Sequence, residues 1–173
     1  MAPIDGFQSV TVRPVRAGEW RELRALRLRA LKTDPGAFGS TYAKAAAYPD
    51  SEWIERAQES ETGERSRTFV AAGDLGWRGM VIGATLDDGD AGLFGMWVEP
   101  RDRRAGIAAA LVDAVVAWAR ERRAAGVSLS VAEDNAAAAA LFSSKGFDFT
   151  GERRPLSSRA EIGALAMRRP VDA

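Results

Sequence analysis

The chain contains no cysteine and no histidine. The first absence excludes disulfides, thiolate nucleophiles and cysteine-based zinc sites. The second removes the commonest general base and with it the Ser–His–Asp arrangement. Any chemistry must then run on carboxylates, hydroxyls, amides, water or a bound cosubstrate, which favours an electrophile that arrives already activated. A charge excess is lacking too: 24 basic residues balance 24 acidic ones, so bulk electrostatics gives nucleic-acid binding no support. No apolar run reaches the roughly 18 residues of a membrane span. The opening MAPIDGFQSV shows no cationic-then-apolar leader. A cytoplasmic protein without nucleic-acid or membrane partners is expected. Asp87, Asp88 and Asp90 lack the spacing and closing glutamate of a calcium loop; they read as a hairpin turn, and no metal is expected.

With 173 residues, 46% of them apolar and 28% charged, the chain suits one domain, 1–173, with a core of its own. Residues 8–15 alternate as a strand, and leucines at 23, 26, 28 and 31 mark an amphipathic helix. Arg21, Arg24, Arg27 and Arg29 give that helix a solvated face. Asp34-Pro35-Gly36 ends it, a loop carries Phe38 and Tyr42, and a second helix runs from about Asp50 to Gln58. Strands at Thr68–Ala72 and Met80–Leu86 flank a hairpin containing Gly73, Gly76 and Gly79. A further strand covers Leu93–Val98, and the strongest helix spans Arg104–Arg123 with Gly126 as its stop. Val127–Val131 reads as a strand and Asn135–Ser144 as a helix. Phe147–Thr150 and Ile162–Met167 then pair around a charged loop. The pattern is one α/β domain with a mixed sheet.

The most informative stretch is Met96–Ala108, MWVEPRDRRAGIA. An apolar strand meets a turn at Pro100, then Arg101, Arg103 and Arg104 lead to Gly106 at the mouth of a long helix. That order presents backbone amides and a helix's positive end to a phosphate.

Arg103–Ala108, RRAGIA, matches R/Q-x-x-G-x-G/A, and Asn135–Phe147, NAAAAALFSSKGF, matches N-x-x-A-x-x-L-Y-x-x-x-G-F in all but its aromatic position. At this spacing, and in this element order, the chain resembles the GNAT superfamily of acyl-CoA-dependent N-acyltransferases over essentially its whole length. The resemblance implies a mixed, mostly antiparallel sheet flanked by about four helices and splayed between the fourth and fifth core strands. It implies acetyl-CoA as cosubstrate, its pyrophosphate cradled by the amides of Arg103, Arg104, Ala105, Gly106, Ile107 and Ala108. Met96, Trp97 and Val98 would hold the pantetheine arm, Asn135 the pantetheine or a catalytic water, and Lys145 the adenosine end. Phe38 and Tyr42 fall in a segment that commonly lines the acceptor pocket. A homodimer is also implied.

Phe142 departs from the pattern. It lines the cofactor site where many members carry a tyrosine that protonates the leaving thiolate, and a phenyl ring has no proton to give. Glu99 and Glu133, each just past a strand, are the candidates for general base or water relay. Two functions stay open: an N-acetyltransferase attacking the thioester directly with an amine, and a catalytically weak CoA-binding regulatory module. A P-loop or dinucleotide fold is disfavoured, since neither glycine fingerprint follows a strand.

Overall fold

The computed structural model describes residues 9–156 and 159–172. The segment 1–8, which includes the first residue of the expected 8–15 strand, and Ser157 and Ser158 of the expected charged loop lie outside them. Among the described residues seven strands form one sheet in the order β1-β2-β3-β4-β5-β7-β6. They are β1 Thr11–Pro14, β2 Ser66–Gly73, β3 Gly76–Thr85, β4 Ala91–Val98, β5 Gly126–Ala132, β6 Asp148–Leu156 and β7 Arg159–Pro170. All pairs are antiparallel except β4 with β5.

Among the described residues five α-helices flank the sheet: α1 Trp20–Thr33, α2 Tyr42–Ala46, α3 Asp50–Thr62, α4 Ile107–Glu121 and α5 Ala136–Ser144. That is one more than the four expected. The expected loop at Tyr42 starts the short α2, because Thr41 caps it by accepting a hydrogen bond from the Lys44 amide at 3.2 Å.

Alternation along the strands sorts the core into two layers. Val81, Leu93, Val98 and Leu129 pack with Leu111, Val115 and Trp118 of α4 and with Phe142 of α5. Val70, Met80 and Trp97 face the opposite way, against Leu23 and Leu26 of α1 and Trp53 of α3. Each fully buried side chain of this size contributes about 1.5–3 kcal/mol, so the two layers carry most of the fold's cohesion. Trp118 is 2% exposed and donates from Nε1 to Gly63 O at 3.1 Å.

Several boundaries differ from expectation. Helix α4 ends at Glu121, and Arg123 rather than a glycine takes the left-handed turn, φ 57°; Gly126 opens β5 instead. Gly79 lies inside β3 opposite Val98, not in the hairpin. The charged loop after Phe147 is largely strand, since β6 and β7 pair from Asp148 onward. The face of α1 is not wholly solvated: Arg21 and Arg29 are exposed, whereas Arg24 Nε and Arg27 Nη1 are buried.

Candidate functional site

The parallel pairing of β4 and β5 covers only Ala91 with Val127 and Gly92 with Ser128. Beyond it β4 continues against β3 and β5 against β7, so the sheet opens between its fourth and fifth strands. A bulge in β4 marks the place: between the pairs Ile82–Phe94 and Met80–Trp97, β4 takes three steps where β3 takes two. Gly95 sits in the bulge with φ 57°. An isolated glycine inside a strand pattern is the usual sequence sign of such a bulge.

The chain leaves β4 through Glu99 and a short 3-10 turn, Pro100–Asp102, and enters α4 at Gly106. Arg104 and Gly106 both take left-handed φ, 65° and 83°. No side chain caps α4, and the first amide bonded back into it is that of Ala110, to Gly106 O at 3.1 Å. The amides of Ile107, Ala108 and Ala109 are thus left for an external acceptor at the helix's positive end. A Cβ built on Gly106 meets nothing within 4 Å, so the approach is open.

The arginines behave differently from one another. Arg103 is turned inward: its Nε donates to Val98 O at 3.0 Å and its Nη2 to Asp34 Oδ2 at 2.7 Å. Arg101 and Arg104 are exposed. The same Asp34 oxygen accepts from Trp97 Nε1 at 2.7 Å. Asp34 thereby ties the end of α1 to the turn before α4. It was read from sequence only as a helix terminator, and nothing local announces a partner more than sixty residues away.

A cleft of about 370 Å³ lies beside this turn, lined by Asp34, Gly36, Ala132, Asp134, Asn135 and Arg159 among others. Asn135 Oδ1 accepts from the Ala138 amide at 3.2 Å and so caps α5. Phe142, in the same helix, is 5% exposed and meets Phe147 edge-on at 5.7 Å between centroids; it is a core residue here. Lys145 Nζ pairs with Asp113 of α4 at 2.9 Å. Phe38 is buried beneath the Arg27 guanidinium at 4.6 Å, Tyr42 is 43% exposed, and neither lines the cleft.

The two candidate bases stand in different settings. Glu99 is half-buried and accepts from Arg29 Nε at 3.0 Å. Glu133 accepts from Arg153 at 2.8 and 3.0 Å and from the Gly163 amide at 2.8 Å. The guanidinium first, and then the amide, holds its carboxyl down to about 2. Among the described residues no group of three or more acidic side chains is arranged to hold a metal ion, and no helix is long and apolar enough to cross a membrane.

Solved structures repeat this architecture. An acetyltransferase of the GNAT family from Streptococcus pneumoniae aligns over 95% of this chain and 100% of its own, with TM-score 0.82 and 17% identity. The N-acetyltransferase PaiA from Thermoplasma acidophilum, solved in complex with coenzyme A, aligns over 94% and 99%, with TM-score 0.74 and 13% identity. A nourseothricin acetyltransferase is 30% identical over 62% of this chain and 66% of its own, with TM-score 0.58. A search of curated proteins by sequence found no match. The pattern of the Acetyltransferase (GNAT) family matches residues 25–147. By that match, and by a sheet that opens where the uncapped helix begins, the chain belongs to the GNAT acetyltransferase family.

Proposed function

We propose that the protein transfers the acetyl group of acetyl-CoA to a primary amine, working as a single acyltransferase domain over 1–173. One observation carries the reading: a left-handed turn with free amides at the start of α4, beside the opening between β4 and β5. Amides of Arg104–Ala108 hold the pyrophosphate, and that of Arg103, which donates to Pro100 O at 3.4 Å, turns to it on binding, with Arg104 and Arg101 adding charge from the exposed side. Met96, Trp97 and Val98 guide the pantetheine arm, Asn135 lies along its far side, and Lys145 reaches the adenosine end. Phe142 bounds the groove from within the core.

The chemistry is direct attack of amine nitrogen on the thioester carbonyl, forming an amide and releasing the thiol. A chain without cysteine or histidine contributes mainly position and polarisation of the carbonyl by backbone amides at the β4 bulge. An ammonium acceptor must first lose a proton. Glu133 is a poor taker for it, because a carboxyl held near 2 binds protons weakly. Glu99, next to the β4 strand, takes that role directly or through water, and water returns the proton to the thiolate in place of a tyrosine. Phe38 and Tyr42 border the acceptor side. A cytoplasmic setting, a homodimer and independence from metal belong to the same reading, supported by the family resemblance.

The test is thiol release from acetyl-CoA across a panel of small-molecule and peptide amines, nourseothricin among them, with mass spectrometry of the product. Acceptor-dependent release with a mass gain of one acetyl group is expected. Heat from CoA binding without turnover for any amine would instead identify a regulatory module. No heat from either CoA or acetyl-CoA would overturn the reading.

A further inference from the structure

A second cavity, of about 360 Å³, lies between α1, α3 and strands β2 and β3. Its floor is apolar, formed by Leu23, Trp53, Met80 and Ile82, while three arginines and three glutamates stand around it. Most of these charges satisfy one another. Arg56 donates twice to Glu52, at 3.0 and 3.1 Å. Glu59 accepts from the Arg65 guanidinium and from the amides of Arg65 and Ser66. Among the described residues that leaves Arg27 and Glu55 as the cavity's charged groups without an ion-pair partner.

Two of the residues that line it also carry a buried donor that is unmet. Trp53 is 1% exposed and its Nε1 has no hydrogen-bond partner; Arg27 Nη1 is buried and likewise unpartnered. Buried donors of this kind are ordinarily paired. Both are donors, so what they lack is an acceptor, and a guanidinium prefers an anionic one. Burial, with Arg56 nearby, pushes the Arg27 guanidinium down to about 10; an anion beside it would reverse that shift. A bare anion would nevertheless have to pass the exposed carboxylate of Glu55. A molecule bearing a cation at its other end would be drawn to it.

We propose that this cavity binds a small amino-carboxylate, its carboxylate accepting from Arg27 Nη1 and Trp53 Nε1, its methylenes on the Met80–Ile82 floor and its ammonium at Glu55. The site is separate from the groove between β4 and β5 but abuts it. Arg27 Nη1 lies 3.0 Å from where a Cβ of Gly95 would stand in the β4 bulge. The ligand-bearing guanidinium therefore backs directly onto the strand that borders the groove.

The test uses glycine, 4-aminobutyrate, butyrate and butylamine as probes, read by calorimetry and by the indole N–H resonance of Trp53, assigned with Trp53→Phe. An amino-carboxylate should bind, move that resonance and bind better than butyrate or butylamine. Arg27→Met should weaken it about tenfold or more, and Glu55→Gln, on the exposed rim, should weaken the amino-carboxylate but not butyrate. Circular dichroism and the unfolding temperature check that each variant is folded. Absence of any resonance shift at millimolar probe, butylamine binding as well as the amino-carboxylates, or binding indifferent to both Arg27→Met and Glu55→Gln would overturn the proposal. Since no arm uses coenzyme A, failure here leaves the acetyl-transfer reading untouched.

Discussion

Arg103 donates its Nη2 proton to Asp34 at 2.7 Å and is thereby drawn back from the turn it precedes. Asp34 has a second claim on it, since the same oxygen serves Trp97 Nε1. The two bonds differ in weight. The Arg103–Asp34 pair, with side chains 45% and 30% exposed, contributes about 0–1 kcal/mol. Trp97 is 3% exposed, so an indole N–H left without an acceptor there costs about 1–3 kcal/mol. Asp34→Ala should therefore lower stability by that larger amount, whereas Asp34→Asn, which keeps an acceptor for Trp97, should be close to neutral in urea unfolding. Asp34→Asn also frees Arg103, and acetyl-CoA should then bind tighter, by up to about fivefold. Weaker binding would mean that Arg103 serves by holding the turn in place.

Gly106 offers a second check, because its two constraints separate. Its φ of 83° disfavours any side chain by about 1–2 kcal/mol, and the space ahead of it is empty of protein. Gly106→Ala should show mainly the backbone cost in unfolding. Gly106→Trp should show a similar cost in stability but abolish acetyl-CoA binding in calorimetry, since the indole would fill the approach to the α4 amides. Unchanged affinity in the tryptophan variant would refute the placement of the pyrophosphate.

The pH behaviour of Glu133 follows from its partners. Its folded value, about 2, lies below the ordinary 4.5, so its contribution to stability is complete above 4.5. It fades as pH falls toward 2. Glu133→Gln should lower stability by a constant amount above pH 5, where the carboxylate is fully charged, and its curve should converge with that of wild type as pH falls toward 2. In activity the two glutamates should part. Glu99→Gln should lower kcat at saturating acetyl-CoA. Glu133→Gln should keep the pH profile of the rate, because a carboxylate that is already deprotonated throughout the working range has no limb to lose. A rate profile that follows Glu133 would reverse the assignment.

What the sequence shows and hides divides along physical lines. Local signals were legible: the leucine spacing of α1, the helix beginning at Asn135, and Arg103–Ala108 as the turn into a helix. The opening between β4 and β5 was legible only through the family resemblance, since no residue spacing states which strands stop pairing. Long-range polar contacts were not legible at all. The sequence gives no sign of Asp34 beside Arg103, of Arg153 beside Glu133, or of the Phe38 ring beneath the Arg27 guanidinium. In each case a partner far away in the chain sets the charge environment, and hydrophobic periodicity carries no information about it.

One such partner supports the opening itself. Asp90, the residue before β4, is 7% exposed and accepts from Arg168 of β7 at 2.7 and 2.8 Å and from Ser128 of β5 at 2.7 Å. It thus links three strands at the end where β4 and β5 still pair, immediately before they part. Arg168 first, then Ser128, holds its carboxyl below the ordinary 3.8 despite the opposing effect of burial. Removing it strands the Ser128 hydroxyl and a guanidinium 38% exposed; solvent recovers part of the latter, so Asp90→Ala should cost about 1.5–3 kcal/mol. Asp90→Asn should cost less, because it keeps an acceptor while losing the charge. The depressed carboxyl also sets the pH dependence: the contribution is intact above 3.8 and is lost as pH falls below it, so wild type and Asp90→Asn should converge in unfolding free energy under strong acid. If the two β4–β5 pairs hinge on this link, hydrogen exchange at Val127 and Ser128 should quicken in Asp90→Ala while that of the β2–β3 core stays slow. Uniform acceleration across the sheet would show that Asp90 supports global stability and not the local closure of the splay.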